Sequence, residues 1–411
     1  METKPHILRY RVLRRWGFIS KKEGKQMIEK KINLIIKCAL LGILILNITP
    51  LIFAETNQPL VITGAMLIDG TGAKPIKDGV VVISDDRITQ VGSKTNLTIP
   101  KGSKTIDLEG GIILPGFINA HVHCAYDESR LQTWAKEGVT TVRDLAANPP
   151  ETSYKKRDLL NKNPFNARLV AAGQPMSGGF RSKYVPVLII TTVEEARFEA
   201  NRILDEGADL LKLMIDSNFG SELMPESAAK EIIEIAHKRG TRVATHIGLS
   251  RDIQHAINVG VEEFAHMVID PLPDDLITKM VDAGTYVTPT IEIQKGWGFD
   301  TYILDNLGRF VKAGGKVVLG TDYASDTFFE FELGMPLKEI LWMQEAGMTP
   351  MQIIESATKN AAVVCNLGSV LGTLEEGKIA DILVINGNPL KDLTNLKKVR
   401  LVLKGGKIIR Q

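Results

Sequence analysis

Apolar positions along the chain follow two rhythms. From Leu60 to Leu114, short apolar runs are cut by Gly and Asp turns, as in VITGAMLIDG, GVVVISDDRITQVG and TIDLEGGIILPG, a spacing that predicts antiparallel strands. The same style returns after Gly368, in GSVLGTLEEGKIADILVING and VRLVLKGGKII, so both ends are expected to build one small β-sandwich. Between them, strand-like runs alternate with helical ones. The candidate strands are Ile112–Asn119, Val139–Leu145, Arg168–Gly173, Asp209–Ile215, Arg242–His246, Glu263–Val268, Tyr286–Ile291 and Lys316–Gly320. Helical stretches such as PESAAKEIIEIAHKRG fit between them, with Gly240 as a C-terminal stop. Eight strands alternating with helices over roughly 250 residues predict an α/β fold, a (β/α)₈ barrel of the TIM type. A doubly wound open sheet is the alternative, but no Gly-rich phosphate loop follows the first strand.

One apolar stretch fits neither rhythm. Cys38 to Ala54 reads CALLGILILNITPLIFA, uncharged, preceded by Lys30, Lys31 and Lys37 and ending in a small residue. That is the pattern of a secretory signal, with cleavage expected after Ala54. It falls just short of the roughly 20 apolar residues that span a bilayer, and a retained anchor is the alternative. Met27 begins a cleaner leader, MIEKKINLIIK, and competes with Met1 as the start. The expected organisation is therefore a basic segment and signal over 1–54, sandwich strands over 55–113, the barrel over 114–368, and returning sandwich strands over 369–411. Export would place the protein in the periplasm of a double-membraned bacterium or outside the cell, with no stable membrane association once the signal is removed.

Composition narrows the function classes. With 44% hydrophobic and 24% charged residues, the 411-residue chain has an ordinary globular balance. The net charge of +2 is misleading, because residues 1–37 hold eleven Lys/Arg against three Asp/Glu. That leaves 39 against 45 elsewhere, an acidic body with no basic footprint for nucleic acid. Of three cysteines, Cys38 lies in the signal, and Cys124 and Cys365 make no disulfide framework.

The candidate chemistry sits at strand ends. His121 and His123 in NAHVHC close the first barrel strand, His246 in VATHIG the fifth, and His266 in EFAHMV the sixth. Residues i and i+2 of an extended chain face the same way, so His121 and His123 suit one ion. In a parallel barrel these strand ends meet at one mouth, where active sites of the fold are built. Asp322, in VVLGTDYAS, ends the eighth strand beside the first. Lys212, in DLLKLMID, lies inside the apolar fourth strand, where an unpaired ammonium is costly to bury. Carbon dioxide would convert it to a carbamate whose two oxygens can bridge two ions; snorkelling, or pairing with Asp209 or Asp216, are the alternatives. His237 and His255 fall in predicted helices away from strand ends. Alternation points Cys124 away from the two histidines before it.

Together these residues resemble the amidohydrolase superfamily. The motifs LPGFINAHVH, LLKLM, VATHIG, EFAHMV and VLGTD match in order, and GKIADILVINGNP looks like the family's returning sandwich strand. Within it, the chain is similar to the imidazolonepropionase-related group that includes metal-dependent Xaa-Pro dipeptidases. The resemblance implies that His121, His123 and Asp322 hold one metal and His246 and His266 a second, with carboxylated Lys212 between them. It implies a shared hydroxide as nucleophile, and Asp322 as the group that takes the hydroxide proton and returns it to the leaving amine. Zinc suits the mixed ligands, as would manganese, iron or cobalt. The chain departs from the pattern at Phe180, in SGGFRSKY, where relatives are expected to carry histidine. Arg181, Lys183 and Tyr184 in that loop suit a substrate carboxylate or form a solvated basic loop. Arg143 and Asp144, in TTVRD at the second strand end, either line the pocket or pair with each other.

The expected activity is hydrolysis of an amide bond in a dipeptide or N-acyl amino acid. A deaminase or cyclic-amide hydrolase on the same barrel is the rival. Mononuclear deaminases of the superfamily tend to lack the bridging lysine and to carry a glutamate soon after the fifth-strand histidine, whereas here Lys212 is present and IGLS follows His246. A secreted binding protein without turnover is the alternative of another class. A homo-oligomer is compatible with all of these.

Overall fold

The computed structural model describes residues 58–146, 150–182, 186–325 and 331–411, with six exposed helical positions between 22 and 33. The chain divides into Met1–Thr56 and Asn57–Gln411, and the architecture below is that of the second unit. The expected signal segment, its cleavage site and the alternative start at Met27 lie outside the described residues. Among the described residues, no helix is long and apolar enough to cross a membrane.

Strand β1 (Leu60–Leu67) pairs antiparallel with β2 (Ile76–Ser84), which pairs with β3 (Arg87–Ser93). Its other edge is shared. Residues 60–63 of β1 run parallel to β4 (Lys104–Asp107), and Met66 and Leu67 run parallel to the start of β5 (Ile112–Pro115). The change of partner falls at Gly64, whose φ is +80° and where a Cβ would lie 2.0 Å from Asp107 Oδ1. Only glycine fits both demands.

The chain then enters a parallel barrel through β6 (Phe117–Val122), β7 (Val139–Asp144) and β8 (Arg168–Ala171). Two short strands follow, β9 (Met176–Ser177) and β10 (Leu188–Ile189). The second arc runs through β11 (Leu211–Ile215), β12 (Val243–Ile247), β13 (Glu263–Ala265), β14 (Tyr286–Thr288) and β15 (Lys316–Val317). The third strand position is filled first by β8, through an Ala172–Leu210 bridge, and then by β9, which pairs with β11. The other seam closes where the segment after β15 meets β6. The Ala120 N–H donates to Leu319 O at 2.9 Å, and Val122 bridges Tyr323. Contact there is tight: a Cβ on Gly320 would lie 2.4 Å from Thr288 Cγ2 and 2.8 Å from His121 Cβ.

Helices on the outside cover the barrel, and β6, β7 and β11 are buried along their whole length. Strands buried on both faces read as continuous apolar runs without alternation. That explains one difference from the sequence reading. Ile112–Asn119 is two strands, β5 in the terminal sheet and β6 in the barrel, on either side of Gly116.

The chain returns through β16 (Ile382–Ile385), β17 (Val399–Lys404) and β18 (Lys407–Arg410). β16 pairs antiparallel with β5, completing the order β18-β17-β16-β5-β1-β2-β3. Both halves of this sheet feed one core, in which Ile62, Val81, Ile83 and Ile88 join Ile382, Val384, Leu401 and Leu403. The sandwich is thus a single folded sheet of mixed direction rather than a purely antiparallel one.

Candidate metal centre

His121 and His123 straddle the end of β6 and face the same way, as alternation requires. Their Nε2 atoms lie 3.1 Å and 2.8 Å from Asp322 Oδ1. Asp322 is held there by the barrel seam, its N–H donating to His121 O at 2.8 Å. His266 follows β13, its ring centroid 5.1 Å from that of His121 and 4.6 Å from that of His246, at the end of β12. Four imidazoles and a carboxylate from strands one, five, six and eight therefore converge at one mouth. Ligand atoms of His121, His266 and Asp322 all lie within 4.8 Å of one another. Asp322 and His266 have φ of 57° and 91°, the left-handed region that costs a side-chain-bearing residue energy. Such strain persists where the surrounding structure over-determines it, commonly at functional sites.

Burial lowers His121 to about 4, against the pull of Asp322 in the other direction. It also takes His266 well below the usual range, and neighbouring His246 adds to the effect. For His123 burial pulls downward too, but Asp322 and Asp144 outweigh it and carry the ring up to about 9. Asp322, although burial opposes its ionisation, is kept well below the carboxylate range by His121 and His123.

Lys212 is the second residue of β11, 4% exposed, and its buried Nζ has no hydrogen-bond partner. Burial lowers the ammonium to about 8, while Glu263 and Asp322 act the other way. The aspartates weighed as its partners are engaged elsewhere. Asp216 Oδ2 lies 3.1 Å from His246 Nε2, and Asp209 Oδ2 lies 2.8 Å from Arg157 Nη1. An orphaned buried amine beside His121 and His266, whose rings burial keeps neutral, and an anionic carboxylate is a donor set that fits divalent metal.

Other sequence candidates are placed differently. Arg143 is fully buried and pairs with Glu263 rather than Asp144; its Nη1 donates to Glu263 Oε2 and Val364 O, both at 2.8 Å, and its Nε donates to Ala120 O. Glu263 in turn accepts from Thr288 Oγ1 at 2.7 Å. Arg143 is thus an interior barrel residue, and a pocket-lining role does not match this placement. Arg181 is exposed, and Lys183 and Tyr184 lie outside the described residues. His237 sits in helix Glu226–Lys238 against Glu262, and His255 in helix Ser250–Asn258. Cys124 is an exposed free thiol and Cys365 a buried one. Phe180 packs near the centre, its ring centroid 5.8 Å from that of His246.

Residues outside the expected ligand set orient it. His266 Nδ1 meets Thr290 Oγ1 at 2.7 Å. Asp144 Oδ1 lies 3.8 Å from His123 Nδ1, and the Asp144 carboxylate accepts the N–H groups of Ala125 and Ala146. Strand-end position flagged Asp144, but nothing in the sequence marked Thr290.

A profile of the amidohydrolase family matches residues 112–409. The chain belongs to this family. Among relatives of this amidohydrolase, the ochratoxinase of Aspergillus niger is 26% identical over 442 residues, covering 88% of this chain and 89% of that protein. The imidazolonepropionase of Symbiobacterium thermophilum is 22% identical over 374 residues, covering 76% and 85%. Among solved structures, a Xaa-Pro dipeptidase with methionine in its active site superposes with a TM-score of 0.72 at 22% identity, covering 86% of this chain and all of that one. The protein is a metal-dependent amidohydrolase acting on carbon–nitrogen bonds.

Proposed function

We propose that this amidohydrolase holds two divalent cations and cleaves an amide bond in a dipeptide, of Xaa-Pro type, or in an N-acyl amino acid. The observation that carries the reading is Lys212, a buried amine without a hydrogen-bond partner that lies in the electrostatic reach of Asp322, His121 and His266. His121, His123 and Asp322 would hold one cation and His246 and His266 the other, with Lys212 serving both as a carbamate; zinc suits the set. Bound there, the cations supply Lewis acidity and make water nucleophilic at neutral pH.

The chain's own residues do the rest. Asp322 is anionic, and strained backbone aims its carboxylate at His121 and His123. It takes the proton that water loses on adding to the carbonyl, then delivers it to the amine nitrogen as the carbon–nitrogen bond breaks. Phe180 presents an apolar wall beside His246, which favours a substrate with an apolar group next to the scissile carbonyl. Arg181 and Tyr184 are the proposed partners of a substrate carboxylate. The names of the ochratoxinase, Xaa-Pro dipeptidase and prolidase relatives support the amide class.

The decisive experiment loads the protein with zinc and bicarbonate and screens dipeptides and N-acyl amino acids. Hydrolysis of one of these series is expected. Turnover confined to a cyclic amide, imidazolone or amino-purine would replace this reading with its rival, and failure to retain one ion per chain would point to a binding protein. Export is proposed from the 38–54 segment, and the exported chain should begin at Glu55.

A further inference from the structure

We propose that Asp216 is a positioning residue that locks the ring of His246 in one tautomer and so sets which nitrogen faces the metal. The inference rests on the metal-centre reading above and adds a residue outside its ligand set. Asp216 directly follows β11, is 5% exposed, and lies with Oδ2 3.1 Å from His246 Nε2. A carboxylate can only accept, and a neutral imidazole carries one N–H and one lone pair. The proton of His246 therefore sits on Nε2, and Nδ1 is left as the ligand atom. On the neighbouring strand the arrangement is reversed: His266 Nδ1 is taken up by Thr290 Oγ1, which leaves Nε2.

The Asp216 carboxylate has little freedom to do anything else. Its Oδ1 accepts the Asn218 N–H at 2.9 Å. The adjoining Ser217 is pinned by Asp252, which accepts the Ser217 N–H at 2.8 Å and its hydroxyl at 2.7 Å. Arg251 adds bonds from Nε to Ser217 Oγ and from Nη2 to Ser217 O. On the open side, Gly248 makes room: a Cβ there would lie 2.8 Å from Asp216 Oδ2 and 2.9 Å from Oδ1. Loop, carboxylate and imidazole thus form one rigid unit at the ends of the fourth and fifth strands. Groups of this kind fix ring orientation and raise ligand basicity, and their loss commonly weakens metal binding about 10- to 100-fold.

Two variants test this on the full chain. Asp216→Ala removes the acceptor, and Gly248→Ala keeps it but displaces it. In nitrogen-15 spectra of the histidine-labelled, metal-free protein, recorded at a pH alkaline enough to make the rings neutral, the wild-type His246 should show a protonated Nε2 and an unprotonated Nδ1. Both variants should shift toward a tautomer mixture, and both should bind zinc about 10- to 100-fold more weakly in competition with a chelator. Asp216→Asn, which keeps an acceptor oxygen, should recover part of the loss while circular dichroism stays native for all three. An unchanged His246 spectrum in Asp216→Ala, or unchanged zinc affinity in both variants, would overturn the proposal. If the wild-type protein bound no zinc, the metal-centre reading would fail instead, and the metal-free spectra would still decide the role of Asp216.

Discussion

Asp322 Oδ1 lies 2.8 Å from His123 Nε2, so the carboxylate proposed to carry the proton shares its site with the imidazoles that keep it ionised. Asp322→Asn preserves shape and an oxygen donor but cannot accept a proton. Turnover should fall by at least about a hundredfold, with most metal retained. Steady-state kinetics together with metal analysis check this, and full activity in the variant would remove Asp322 from the proton path.

Lys212→Met replaces the orphaned amine by an apolar chain of similar length. The metal-free variant should melt at a temperature equal to or above that of the parent, because no charge is left to bury. Its metal content should drop by about one ion per chain. Calorimetry and metal analysis are the two readouts. Unchanged stoichiometry would show that Lys212 bridges nothing.

Breaking the Arg143–Glu263 pair should be costly to the fold. Arg143→Met strands a buried carboxylate, and the expected loss is about 3–5 kcal/mol in urea unfolding. If this variant is as stable as its parent, the interior network has been misread.

Stability should also fall as pH rises from about 4.5 to about 8. Burial raises Glu339 from 4.5 to about 8, although its carboxylate accepts the N–H groups of Ile291 and Glu292. The groups around it are Glu292, itself raised to about 7 by burial, and Asp322; Lys338 Nζ lies 3.9 Å from Glu292 Oε1. A raised carboxyl binds its proton more tightly folded than unfolded. Its contribution is therefore complete below about pH 4.5 and is lost as pH rises through about 8. The urea midpoint should decline across that window in the parent and decline less in Glu339→Gln.

Phe180 is expected to choose among substrates. Its N–H donates to Ser177 Oγ at 3.1 Å, and a Cβ on Gly178 would lie 2.3 Å from Met224 N, so the turn that carries it is closely packed. Phe180→Ala should lower kcat/KM for substrates with a bulky apolar group beside the carbonyl by about tenfold relative to small ones. Equal losses for both classes would deny it a selective role.

Much of this architecture was legible from local pattern. The barrel strands announced themselves as apolar runs between amphipathic helices, and the HxH spacing of His121 and His123 marked a strand end directly. Pairings across long sequence distances were not legible. Arg143 stands beside Asp144 in the chain, yet its partner Glu263 is 120 residues away and is reached only because both project into the barrel. Asp216 follows Lys212 by four residues and looked like its counter-ion, but the end of β11 turns it toward His246. The division of Ile112–Asn119 was hidden because strands buried on both faces show no polar interruption.

The position of β5 in the terminal sheet has a consequence for biogenesis. This strand sits between β1, which is made before it, and β16, which is made more than 260 residues later. Until the last thirty residues, Ile382 to Gln411, have been made and released from the ribosome, an apolar edge that should be paired faces solvent. Products ending before Ile382 will consequently be prone to edge-to-edge association even when every ligand residue is present.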